Sequence, residues 1–301
     1  MQTIVRLAAF ALIFILLPCD VSGNAGITIA IEQNSLKQIN DLAAKLATPL
    51  DKLENVPDIE MSRSSADVII LLRALRLGGI DSPVEFISVP NARRSTEETA
   101  RGRTVLCSQQ LNKKTNTVPG YENAFLTTAP ITRFGEFQKG FYCLPGNTAL
   151  LSATSAEEIN MRGRGIVGQH WNNDIQILRS IGITNLITAP TFKSMLKIIE
   201  VGRAGWIPLE IANSKNFSIT MQGITLVPIP GIKFSLLESR HFLVSRKHPR
   251  GKEVYGALQK GIKKLRKQGF IRKILSQAGI FNPRTNSWKI LNEDAIQRGG
   301  Y

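Results

Sequence analysis

Residues 84–107 read VEFISVPNARRSTEETARGRTVLC, and this stretch decides the fold class. VEFISV alternates apolar and polar side chains, the pattern of a strand with one face turned to a core. Pro90 and Asn91 turn the chain, ARRSTEETARG is a polar helical stretch, and TVLC is a short run of strand composition. Strand, helix and strand in succession predict a parallel pair, because parallel strands need a long crossover and a helix supplies it.

The same alternation extends in both directions. Upstream, GITIAIEQN (26–34) reads as a strand, while Ser64 and Asp67 form an S-x-x-D helix start ahead of Val68, Leu71, Leu72 and Leu75 on one face. Gly78 and Gly79 close that helix. Downstream, GFYCL, GIVGQ, TNLITA and AGWIPL read as strands, separated by helices in SAEEIN, NDIQILRSIG and TFKSMLKIIEVG. Between the two runs, LNKKTNTVPGYENAFLTTAPI (111–131) is irregular and is expected to cross from one lobe to another. ITLVPIP and SRHFLVS follow as strands. A helix carrying Val254, Leu258, Ile262 and Leu265 is interrupted at Gly269, and a second with Ile271, Ile274 and Leu275 stops at Gly279. The expected class is α/β, two-lobed, each lobe a mostly parallel sheet flanked by helices.

Residues 1–25 have the form of a secretory signal peptide: Arg6, an apolar run from Leu7 to Leu17 too short to span a bilayer, then small residues at Gly23 and Ala25. This predicts export to the periplasm. The remaining chain of about 275 residues suggests two domains. The formal net charge is +15, with the excess concentrated in SRKHPRGK and QKGIKKLRKQGFIRK. Such a run is either a solvated helix face or a surface for acidic partners or anionic headgroups. No nucleic-acid motif accompanies it. Cys107 and Cys143 follow the leader. An even pair in an oxidising compartment points to one disulfide, although spacing alone does not show that the two side chains meet.

Catalytic chemistry finds little support. The three histidines, His170, His241 and His248, lack the H-E-x-x-H spacing, no G-x-S-x-G elbow occurs, and no Gly-rich phosphate loop is present. No metal and no cofactor are expected, and the chain is not expected to be an enzyme.

Six stretches in order, ADVIILLRALRLGG, ARRSTEETARGR, FLTTAPI, GRGIVGQHW, FKSMLKIIEVGRAGW and SRHFLVSRKHPRGKEVYGALQKGIKKLRKQGF, make the chain resemble the extracellular solute-binding proteins of family 3. These are type II periplasmic binding proteins that include the polar-amino-acid receptors of ABC transporters. The resemblance implies lobe 1 at 26–107 and 232–301, lobe 2 at 108–231, and a ligand held between them. It also implies a monomer that passes a small polar solute to an inner-membrane ABC permease or a sensor. Two departures stand out. Where the family carries a carboxylate-clamping arginine, this chain reads CSQQLNKKTNTVPG, and where it tends to carry an aspartate, Gly205 stands in GRAGW.

Ligands of open α/β sheets sit beyond the carboxyl ends of strands. The candidate ligand-binding residues are therefore Asn34, Arg93, Arg94, Ser108, Gln109, Gln169, Trp171 and Glu210. Trp171 offers a stacking face, and Glu210 an acceptor for an amine. Arg93 and Arg94 oppose the dipole at a helix start, which calls for an anionic ligand or for Glu97 and Glu98 one turn on. The competing expectation is a protein that kept the fold, lost the ligand, and contacts an acidic partner or membrane surface through its basic C-terminal helices.

Overall fold

The structure, a computed structural model, describes residues 26–299 other than residue 60; the expected signal peptide lies outside the described residues. The chain opens with β1 (Ile27–Glu32), α1 (Gln33–Ala43), α2 (Arg63–Leu77), β2 (Val84–Val89), α3 (Ala92–Ala100) and β3 (Leu106–Cys107). Short strands β4 (Leu111–Asn112) and β5 (Phe125–Thr127) follow. Next come β6 (Gln138–Cys143), α4 (Thr148–Leu151), α5 (Ala156–Arg162), β7 (Gly165–Gly168), α6 (Asn172–Ser180), β8 (Leu186–Ala189), α7 (Phe192–Glu200) and β9 (Trp206–Glu210). The strands β10 (Ile219–Met221), β11 (Ile224–Pro228) and β12 (Ile232–Ser235) precede β13 (Arg240–His241) and β14 (Leu243–Ser245). The chain closes with α8 (Gly251–Lys267), α9 (Phe270–Gln277), β15 (Lys289–Ile290) and α10 (Glu293–Gly299).

Two main sheets organise these elements. The first has the order β2-β1-β3-β14-β5, with β1 parallel to β2 and β3, and β14 antiparallel to β3 and β5. In the second, β6 lies antiparallel to β9, β11 and β12, while β7 runs parallel to β8 and β9. Both sheets are thus mixed, with antiparallel strands contributed where the chain crosses between them. Those crossings are the two segments 128–137 and 236–242, zipped together by Thr132 and Arg240 exchanging backbone hydrogen bonds and by Leu236 N–H donating to the Phe137 carbonyl.

Sheet membership differs from the sequence expectation at its edges. Phe125–Thr127 pairs with β14 of the first sheet, so of the residues 111–131 expected to cross only the last few, from Thr128 on, belong to the crossing. Ile232–Ser235 pairs with β6 of the second sheet. Helix α2 is capped by Ser62, whose hydroxyl accepts from Ser65 N–H, two residues before the S-x-x-D reading placed the cap. Asp67 is therefore not a first-turn residue but lies inside the helix, buried.

The expected disulfide is overturned. Cys107 lies in β3 of the first sheet and Cys143 in β6 of the second, both as buried, unpaired thiols. The crossing segments hold the two sheets apart, and a bridge requires Cα atoms within about 7 Å. Burial pushes the Cys107 thiol up to about 12 and that of Cys143 up to about 11, so both stay protonated and unreactive.

Helices α8 and α9 pack against the elements of the first sheet, whereas α10 lies against β12 of the second. Val254, Leu258, Ile262 and Leu265 of α8 are buried, and α8 packs on α2. The crossing is close because Gly261 and Gly78 lack side chains: a Cβ at 261 would lie 1.9 Å from the Ala74 carbonyl oxygen, and one at 78 would lie 2.1 Å from that of Ala257. Gly269, in the left-handed region at φ 70, breaks α8 from α9.

Candidate ligand cleft

A cleft of about 800 Å³ lies between the two sheets, within the range of roughly 300–1,000 Å³ usual for small-molecule sites. Its walls come from the start of α2, the segment after β3, the start of α6, the end of β9 and both crossing segments. Apolar surface from Phe137, Phe192, Leu209 and Leu236 alternates with charged groups of both signs.

Each cation that the crossing segments and α2 bring into the cleft meets a carboxylate. Arg63, at the first turn of α2, donates from Nη1 to Glu210 Oε1 at 2.7 Å, joining the first lobe to the second. The nearby Glu210 carboxylate raises the Arg63 guanidinium above its ordinary value. Lys139 in β6 pairs with Asp174 in the first turn of α6 at 2.5 Å, both side chains nearly inaccessible, and its ammonium lies 4.4 Å from the centre of the Trp171 ring. Asp174 also complements the positive end of α6. Arg240 binds Glu238 at 2.8 Å and stacks 4.3 Å over the Phe137 ring, while Arg63 lies 5.7 Å from the same ring.

Glu238 is the junction of the cleft. One of its oxygens accepts from Asn112 Nδ2 of β4 at 2.6 Å and from Asn173 Nδ2 of α6, while the other accepts from Arg240. A single buried carboxylate on the returning crossing segment therefore ties β4 to the start of α6.

Behind Arg63, Asp67 accepts from the Gln110 backbone N–H at 3.2 Å and from Gln110 Nε2 at 2.6 Å. Gln110 Oε1 in turn accepts from Thr132 Oγ1 at 2.9 Å. Burial pushes the Asp67 carboxyl up to about 6, against the opposing pull of Arg63 and the Gln110 hydrogen bonds. Beside the crossing, burial lowers the His241 imidazole. The ring is neutral, so Nδ1 donates to the Thr128 carbonyl at 2.7 Å and Nε2 accepts from Ser239 Oγ at 2.8 Å. Among the described residues no group of three or more His, Cys, Asp or Glu could hold a metal ion.

Of the eight residues expected from strand ends, Trp171 and Glu210 line this cleft. Trp171 lies against Gly168, where a Cβ would sit 2.8 Å from the indole. Asn34 is exposed on α1, because the first strand ends two residues sooner than its sequence suggests. Arg93 and Arg94 sit outside the cleft and bind Glu97 and Glu98 one turn on, the local alternative to a ligand. Ser108 is buried, its N–H donating to the Ala30 carbonyl. Gln109 spans to the Ala92 carbonyl and accepts from Ser95 Oγ, and Gln169 is exposed with its N–H bonded to the Ala189 carbonyl. Arg63, Lys139, Asp174, Glu238 and Arg240 escaped the sequence reading. The two arginines enter from a helix start and from the returning crossing, not from the segment after β3 where an arginine was sought.

The sequence matches no protein-family model and no curated protein. Solved structures do resemble it. The probable amino-acid ABC transporter extracellular-binding protein of Bacillus subtilis superposes with a TM-score of 0.55 at 12% identity, over 85% of this chain and 99% of that one. An amino acid ABC transporter substrate-binding protein of Streptococcus pneumoniae, solved bound to L-arginine, gives 0.50 at 12% identity, over 84% of this chain and 94% of that one. The chain therefore has the two-lobed type II periplasmic-binding-protein fold that these amino-acid substrate-binding proteins share.

Proposed function

We propose that this chain is an exported, periplasmic solute-binding protein whose lobes close on a small polar solute carrying both positive and negative groups, for delivery to an ABC permease or a sensor. The observation that carries this reading is the set of cross-lobe contacts made by the cleft-lining side chains themselves: Arg63 to Glu210, and Asn112 and Asn173 to Glu238. Groups that hold the lobes together and also line the cavity couple cavity occupancy to lobe position.

On this reading the first lobe is residues 26–127 and 243–279, the second is 138–235 with the C-terminal segment 282–299 packed on it through β15 and β12, and the crossings lie between them. Arg63 and Arg240 supply fork-shaped donors for a carboxylate, in place of the arginine missing after β3. Glu210 and Asp174 supply acceptors for an amine, in place of the aspartate missing at Gly205. Trp171 and Phe192 form the apolar wall. The Streptococcus pneumoniae relative, with its bound L-arginine, supports a zwitterionic solute as the class to test first.

The test is thermal unfolding of residues 26–301 against amino acids, amines, organic acids and small peptides, followed by titration calorimetry. One compound class should raise the midpoint in proportion to the logarithm of its concentration. E210Q should weaken its binding about tenfold or more by removing a charge-assisted acceptor, and W171F should change the enthalpy of binding. A panel that leaves the midpoint unmoved throughout argues against a receptor.

A further inference from the structure

The sequence contains a charged feature that the cleft does not use. On α8, Lys260, Lys263 and Lys267 are exposed, and at i, i+3 and i+7 they form one stripe opposite the buried Leu258, Ile262 and Leu265. Lys264 flanks the stripe and donates to the Leu77 carbonyl at the end of α2, at 2.9 Å. Arg272 and Lys273 follow, exposed on α9. The only acidic residue of α8, Glu253, is bound to Arg250 at the far end of the helix. Among the described residues no ion pair neutralises any of these six cations; Lys264 meets a carbonyl and Arg272 lies 5.4 Å from the centre of the Phe281 ring, and the three lysines of the stripe project from the face of α8 opposite its buried one.

The character of the face selects its partner. Lysine is depleted from the cores of protein interfaces, where aromatic and apolar anchors carry the energy. The exposed large apolar residues among those described, Val118, Met161 and Val201, all lie outside α8 and α9. A stripe of flexible ammonium groups without an anchor suits a diffuse field of negative charge, to which each lysine contributes separately. The stripe is also set away from the cleft. Arg63 at the first turn of α2 lines the cleft, whereas Lys264 meets the last residue of the same helix, Leu77; fifteen helical residues put about 20 Å between those ends.

We propose that this lysine stripe docks the first lobe on a bilayer surface bearing anionic headgroups, leaving the cleft unobstructed. The docking does not depend on the cleft having a ligand. It would confine the protein to two dimensions beside the membrane while the second lobe stays free to move.

The test is co-sedimentation of residues 26–301, which contain both lobes whole and lack the apolar leader with its own lipid affinity. The vesicles are phosphatidylcholine with or without phosphatidylglycerol, at low and at physiological salt. Binding should require phosphatidylglycerol and weaken with salt. K260E/K263E/K267E should partition about tenfold or more weakly. K193E/K197E/R203E, with the same change in net charge on exposed positions of the second lobe, should partition within about twofold of the unmodified chain, the loss expected of net charge alone once salt screens distant charges. Equal losses from both variants would reduce the effect to net charge and overturn the assignment, as would equal binding to neutral vesicles. Capture by polyglutamate or duplex DNA without capture by anionic vesicles would overturn it in favour of an acidic macromolecule. Unchanged unfolding midpoints of both variants show that a loss is not a folding defect.

Discussion

The cleft and the α8 stripe are both strongly charged, and they treat charge in opposite ways. In the cleft, Arg63, Lys139 and Arg240 each face a carboxylate at 2.5–2.8 Å. On the stripe, Lys260, Lys263 and Lys267 face solvent. Buried charge must be partnered within the protein because desolvation is expensive, whereas exposed charge is satisfied by water and remains available to something else. Paired charges in a cavity hold a geometry; unpaired charges on a surface make a field.

The contrast breaks most sharply at Lys139 and Asp174. D174A leaves a largely buried ammonium at the cleft wall without its carboxylate, and it should lower stability to urea by about 3 kcal/mol or more. K139M/D174L, which removes both charges at similar volume, should recover most of that loss. Equal loss from the two would mean that packing, rather than unpaired charge, sets the cost.

Asp67 gives the next effect. Its folded pKa of about 6 lies above the ordinary 3.8, so the folded state holds the proton more tightly than the unfolded chain. The stabilisation from that proton is complete below about pH 4 and is lost as pH rises through about 6, an amplitude of about 3 kcal/mol. D67N cannot titrate. The difference in urea midpoint between the unmodified chain and D67N should therefore drift against the unmodified chain between pH 4 and 7, and a constant difference would contradict the assigned shift.

The smallest effect belongs to the stripe. K260E/K263E/K267E should change folding stability by less than about 0.5 kcal/mol per site in physiological salt, since exposed unpaired side chains contribute little to the fold. A large loss would show that these lysines are part of the packing and would bring the two regions closer in kind.

Legibility followed the range of the interactions involved. The strand VEFISV and the helix after Asn91 were readable because alternation and a turn are local signals: Val84–Val89 is β2, and Asn91, read as part of the turn, caps α3, its Oδ1 accepting from Arg94 N–H. The breaks at Gly78, Gly269 and Gly279 were readable for the same reason. Arg93 and Arg94 looked like site residues, yet their partners lie within one helical turn. Asp67 looked like a capping residue because an acidic side chain three places after a serine has that form, although the cap lies at Ser62.

The sequence by itself determined the α/β alternation, the ends of the main helices, and the concentration of lysine on α8, because each depends on residues within a few positions of one another. Only the tertiary structure decided that Cys107 and Cys143 lie in different sheets, that Phe125–Thr127 pairs in the first sheet, and that Glu238 holds Asn112 and Asn173 together. These partners are tens to more than a hundred residues apart, and they meet because the chain crosses twice between sheets whose strand order no local periodicity encodes.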